Sequence, residues 1–223
     1  MISGYSSVAR TLTAGLASRL VREMLFRSGW EKCCGRHFSA VGSGLADDEG
    51  RRPCVVMMTR VGKECRPLRT FVAGFTAAGC DVLVVEGRPG REFRDARAGV
   101  AAARGLASVD PGRVVLWGAG PAAPAVFAAA ERGVSLVLAL APSGATGRPA
   151  RASCPALVQV EGGGPAVFRD AGWPPDAVVR RYAVDVDDPF GVSSLAAILR
   201  DQVDFVVSHL RPTRSPVEVL AAG

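Results

Sequence analysis

A chain of 223 residues, 48% hydrophobic and 22% charged, can bury the core of one globular domain, with or without an extension. It has no apolar run of the roughly 18 residues that a bilayer-spanning helix requires. The net charge of +6 and pI of 9.4 point towards nucleic acid, but residues 1–37 hold six basic residues against two acidic ones, so the body is nearly neutral and wide RNA contact is disfavoured.

The first segment reads as an address. Val8, Leu12, Leu16, Leu20 and Met24 recur at every fourth position, one stripe of a helix, among arginines and hydroxyl residues, with no acid before Glu23. This composition resembles a mitochondrial transit peptide. Arg36-His37-Phe38-Ser39 resembles a matrix processing site with cleavage after Phe38. Residues 1–38 are therefore expected to be a targeting segment or, if kept, a helical arm, and 39–52 a linker.

From Pro53 strands and helices alternate. Strands are expected over 54–58, 81–86, 113–117, 134–140, 156–160 and 178–184. Leu68, Phe71, Val72 and Phe75 share one helical face that Gly79 closes, and Phe93, Ala96, Val100 and Ala103 share another. Asp110-Pro111-Gly112 reads as a turn, and Pro121 suits the first turn of a helix. Leu195, Ile198, Leu199, Val203, Val206 and Leu210 mark a long final helix, followed by a tail over 211–223. Apolar strands alternating with helices predict an α/β three-layer sandwich with a mostly parallel sheet, over 53–210.

The segment VVLWGAGPAAP carries the most chemistry. Gly118, Gly120 and Ala123 spell G-x-G-x-x-A between a strand and a helix, the pattern that cradles a dinucleotide pyrophosphate. An acid about 20 residues on should then hold the ribose, but Leu138 to Gly144 contains none. The same turn also reads as a nucleophile elbow, G-x-Nuc-x-G, with glycine where the nucleophile belongs.

Four stretches in order support the elbow: DARAGVAAARGLASVDPGRVVLWG, SCPALVQVEGGGP, VVRRYAVDVDDPFG and LRDQVDFVVSHL. Together they resemble the α/β-hydrolase family, in particular acyl hydrolases related to dienelactone hydrolase. The resemblance places the nucleophile on Gly120, the acid near Gly164 with Glu161 close by, and the histidine on Val186. It places the oxyanion loop on Thr59 to Lys63, and leaves the family's first two strands without a counterpart before Pro53. The resemblance thus implies a trimmed hydrolase scaffold without its catalytic triad.

Other residues offer little in its place. Ser143 and Cys154 are potential nucleophiles without a base, since His37 falls in the address and His209 deep in the last helix. Asp185, Asp187 and Asp188 read as a solvated loop rather than a metal site. Arg88 and Arg91 could clamp a phosphate or an acyl-CoA tail, but read as surface charges. The glycine run 162–164 lacks the lysine of a P-loop. Cys33, Cys34, Cys54, Cys65, Cys80 and Cys154 form no C-x-x-C pair, so neither a disulfide framework nor a metal site is expected.

The expectation is a non-catalytic protein with no cofactor, a structural or accessory subunit of a large mitochondrial complex, respiratory rather than ribosomal. It would sit in the matrix or on the matrix side of the inner membrane, among other protein subunits and without direct nucleic-acid contact. The alternatives are a small-ligand protein using Gly118 to Ala123 for a dinucleotide or acyl-CoA, or a residual hydrolase.

Overall fold

The structure is a computed structural model; it describes residues 21–60, 68–130, 133–140, 153–161, 176–182 and 192–212. Eight strands form one sheet in the order β1-β2-β4-β3-β5-β6-β7-β8. They are β1 (Val21–Ser28), β2 (Glu31–Phe38), β3 (Arg52–Arg60), β4 (Asp81–Gly87), β5 (Val109–Ala119), β6 (Leu136–Leu140), β7 (Ala156–Glu161) and β8 (Val178–Tyr182). β3 to β8 run parallel, whereas β1 and β2 are an antiparallel pair, and β2 lies antiparallel to β4.

The helices are α1 (Leu68–Ala77), α2 (Glu92–Arg104), α3 (Ala123–Ala129) and α4 (Val192–Leu210). Successive strand residues feed opposite faces of the sheet, which is why the central strands are apolar throughout. Val56, Leu83 and Leu116 pack with Ala96 and Val100 of α2 and Val126 of α3. Val55, Val84 and Trp117 pack on the other side with Phe71 and Phe75 of α1 and Ile198 and Val206 of α4. Three layers result, as the strand–helix alternation predicts. No helix among the described residues is long and apolar enough to cross a membrane.

The sheet begins earlier than expected. Residues 21–38 form a hairpin, so the two strands expected to be missing before Pro53 are present. Met24, the last member of the four-residue stripe, lies on β1, where Met24 and Phe26 pack inward and Leu25 and Arg27 face out. Period two holds there, not period four. Gly29, at φ +65°, supplies the left-handed backbone that a two-residue hairpin turn requires.

The proposed processing site is part of the fold. Phe38 and His37 are buried, and Gly35 to Phe38 pair with Val85 to Val82. A cut after Phe38 would remove both strands and bare one side of β4. The expected linker is also ordered: the Val41 and Gly42 amides donate to the Thr76 carbonyl, and Leu45 is buried. Asp110-Pro111-Gly112 does turn, as an excursion within β5: Arg52 aligns with Val109, and Cys54 already with Val114.

Candidate functional site

From β3 the chain winds first to β4 on one side, then crosses to β5 on the other, so the sheet reverses winding direction between β3 and β5. At such a switch point the loops leaving the carboxyl ends part and open a crevice. The G-x-G-x-x-A turn follows β5 there, with Gly118 in register with Met58 of β3.

The turn is built from small residues. β5 ends at Ala119, Gly120 to Ala122 make a single 3-10 turn, and α3 starts at Ala123. A Cβ on Gly118 would stand 3.0 Å from the Ala122 carbonyl oxygen and from both Val126 methyls, so only glycine lets α3 fold back this closely on its strand. Gly118 is thus required by the chain's own packing, with or without a ligand. Gly120 is at the apex, half-buried, with φ +52°. A strand, a left-handed apex and a helix between small flanking residues make the geometry of an elbow. Its apex carries no side chain to act as nucleophile.

The segments following β7 and β8 share this edge. Ala119, Leu140, Gln159 and Arg180 align across β5 to β8, and Glu161 aligns with Tyr182, so the chain leaves both strands on the side of Gly120. Gly164, Val186, Ser143, Asp185, Asp187, Asp188 and the glycines at 162–164 lie outside the described residues, as do 61–63 of the oxyanion loop.

A buried polar network lies behind the elbow. Trp117 Nε1 donates to Gln202 Oε1 (2.9 Å), and Gln202 Nε2 donates to Gln159 Oε1 (2.6 Å). Gln159 Nε2 donates to the Ile198 carbonyl (3.0 Å) and the Tyr182 hydroxyl (2.8 Å), which donates to Asp201 (2.5 Å). Burial and the bond to Asp201 push the Tyr182 phenol well above its ordinary range, so it stays a neutral donor. The network ties β5, β7 and β8 to α4. Its signal in the sequence is a lone glutamine inside the apolar run ALVQV, with a second glutamine in the amphipathic segment DQVDFVV of the last helix.

The alternative nucleophile and bases stand elsewhere. Cys154 precedes β7, at the opposite edge from Gly120, and burial followed by the Asp176 charge pushes its thiol to about 11. So protonated, it is a poor nucleophile. His209 is exposed, with Nδ1 against the Phe205 carbonyl (2.8 Å). Arg113, at the start of the inner run of β5, reaches the Leu210 carbonyl (3.4 Å), so this end of α4 also lies opposite the elbow.

His37, expected in a removable address, is buried on β2 with Nε2 2.9 Å from Asp81 Oδ2. Ser108 Oγ (2.6 Å) and the Ala40 amide (2.9 Å) also donate to that carboxylate. Burial pulls Asp81 upward, but the bonds from His37, Ser108 and Ala40 outweigh it and hold the carboxyl below its usual value. Asp81 begins β4, again at the edge away from the elbow, so the cluster pins strands rather than serving the crevice.

Arg88 and Arg91 are engaged. Arg88 grips Asp95 of α2 through Nη2 (2.6 Å) and Nε (3.1 Å) and also pairs with Glu31, which Arg91 meets at 2.5 Å. They fasten the hairpin to α2 instead of waiting for a phosphate. Among the described residues no three His, Cys, Asp or Glu side chains are grouped to hold a metal.

No protein-family model matches the chain, and no curated protein is similar to it in sequence. Its backbone resembles solved hydrolases. The dienelactone hydrolase of Anabaena variabilis superposes with a TM-score of 0.67 at 16% identity, over 86% of this chain and 100% of that one. A thermostable esterase from Pseudomonas putida gives 0.65 at 14% identity, over 86% and 84%. Est1E from Butyrivibrio proteoclasticus gives 0.65 at 12%, over 85% and 99%. The eight strands in this order, with helices on both faces, give the chain the α/β-hydrolase fold.

Proposed function

We propose that the chain is a non-catalytic hydrolase scaffold, retained for its surfaces as a structural or accessory subunit of a large mitochondrial assembly. The observation that carries this reading is Gly120: a left-handed elbow apex at the switch-point crevice, without a side chain. The sequence resemblance adds Gly164 and Val186 where the acid and the histidine would stand. Losing one triad member already costs acyl-transfer enzymes about four orders of magnitude or more.

The basic segment before β1, with Arg10 and Arg19 and no acid, supports a mitochondrial address. Because β1 starts at Val21, removal of that address leaves the sheet whole only if the cut falls upstream of it. A respiratory complex suits the near-neutral body better than the ribosome does.

Two assays test the reading together. The purified chain should hydrolyse p-nitrophenyl esters no faster than the buffer blank, and a serine-directed phosphonate should leave it unlabelled. Turnover with phosphonate labelling would make it a working hydrolase and end the proposal. Native fractionation of mitochondria carrying the C-terminally tagged chain should place it in a large assembly; migration at its own mass would remove the subunit role. Calorimetric titration with NAD and acyl-CoA separates the small-ligand alternative, for which micromolar binding lost in Gly120→Val is the signature.

A further inference from the structure

The hairpin formed by β1 and β2 carries an unusual outward face. Residues paired across the two strands share a side, and on one side, from the turn inward, the pairs are Arg27 with Lys32, Leu25 with Cys34 and Glu23 with Arg36, whose guanidinium meets Glu86. Val21 and Phe38, farther along that side, pack into the core under α1 and α4. Leu25, Cys34, Arg27 and Lys32 stand beyond that cover and are exposed, Leu25 at 70%. At the turn stands Trp30, 97% exposed.

Two features set this tip apart from an ordinary polar edge. Arg27 and Lys32 are like charges directly opposite one another, an arrangement that destabilises a strand pair unless an anion relieves it. Neither forms an ion pair with a described residue, and the acid beside them, Glu31, is already taken by Arg88 and Arg91. A bare tryptophan therefore adjoins two cations that have no ion-pair partner among the described residues.

The tip also projects. Gly35 pairs with Val85, so Glu31 runs past Gly87, where β4 ends, and the turn extends beyond the carboxyl edge of the parallel strands. That is the edge of the Gly120 crevice. Order β1-β2-β4-β3-β5 separates β2 from β5 by three strand spacings, roughly 15 Å.

We propose that the hairpin tip is a contact for an anionic membrane surface: Trp30 settles among the headgroups, Leu25 follows it, and Arg27 and Lys32 meet lipid phosphates. Tryptophan favours the membrane interface, and each nearby cation draws on the negative surface potential. Charge complementarity selects an anionic partner, and size selects lipid over protein. Trp30 and Leu25 together offer far less apolar area than the roughly 800 Å² per side of a stable protein interface. The contact would be weak and reversible, and would turn the crevice edge towards the bilayer. It does not rest on the loss of the triad or on membership of an assembly.

The test uses the intact chain with vesicles of phosphatidylcholine alone or mixed with phosphatidylglycerol. Trp30→Phe is the blank that isolates Trp30 emission from that of Trp117 and Trp173. A blue shift of Trp30 is expected on the phosphatidylglycerol vesicles only, fading as salt is raised. Arg27→Gln with Lys32→Gln should weaken partition about fivefold for each cation removed. Circular dichroism confirms that these surface variants stay folded. Unchanged Trp30 emission overturns the proposal, even if the chain sediments with vesicles through residues 1–20. An equal shift on neutral vesicles, or a shift with poly-L-glutamate and none with lipid, overturns it as well.

Discussion

A methyl group added to Gly118 would lie 3.0 Å from a backbone carbonyl that cannot move aside and from two buried methyls of Val126. Gly118→Ala should therefore lower stability by about 1–3 kcal/mol, the usual cost of overpacking, read as a drop in urea midpoint at unchanged slope. Asp81 sets a second test. Its folded carboxyl lies below the ordinary value of 3.8, so the stability it contributes is present above that value. That contribution fades as pH falls below 3.8 through the folded value. The stability gap between wild type and Asp81→Asn should shrink over that acid range in denaturation series at stepped pH. A gap independent of pH would mean that the carboxylate's charge is not what His37, Ser108 and Ala40 hold.

Among the elements, β8 depends most on polar contacts, because four of its five residues are exposed and Tyr182 alone turns partly inward. Gln159 and Gln202 are completely buried, and replacing either strands one atom of the other's amide, Gln202 Nε2 or Gln159 Oε1. Gln159→Leu and Gln202→Leu should each cost about 1–3 kcal/mol. The double variant should cost less than their sum, since the amide stranded by each single change is gone. Hydrogen exchange should show the loss of protection concentrated in β8. The β3–β7 pattern was legible in the sequence because fully buried parallel strands are unbroken apolar runs. The glutamine network was not, because a single polar letter in such a run does not say which strand or helix will satisfy it.

For the whole molecule, the hairpin decides where the domain begins. Deleting residues 1–38 should yield a chain that is insoluble or unfolded by circular dichroism, since β4 would lose a neighbour and Asp81 its histidine. Deleting 1–20 should leave a cooperative thermal transition. On the proposed mitochondrial reading, N-terminal analysis of the isolated protein should accordingly find an end upstream of Val21. The sequence hid this hairpin for a physical reason. EKCCGRHF contains a glycine, two cysteines and four charged residues or histidine, so its alternation carries little hydrophobic signal. What recruits it is tertiary: Cys33 and Phe38 fall on opposite core layers once β4 is alongside. The elbow was readable as a turn from its glycines alone; its left-handed apex at Gly120 and the close packing of Gly118 on α3 come only from the three-dimensional structure.

The strand order also fixes a timetable. Growing from its amino end, the chain completes β1 and β2 first, yet the strand beside β2 is β4, and β3 belongs on β4's far side. At roughly 5–20 residues per second of synthesis, the nascent hairpin waits several seconds with the Gly35–Phe38 edge unsatisfied. A chain threaded amino-end first through a translocation pore would meet the same delay. A holdase chaperone that shelters this one edge is thus needed until Gly87 emerges, whereas the far edge of β3 stays open until β5 follows.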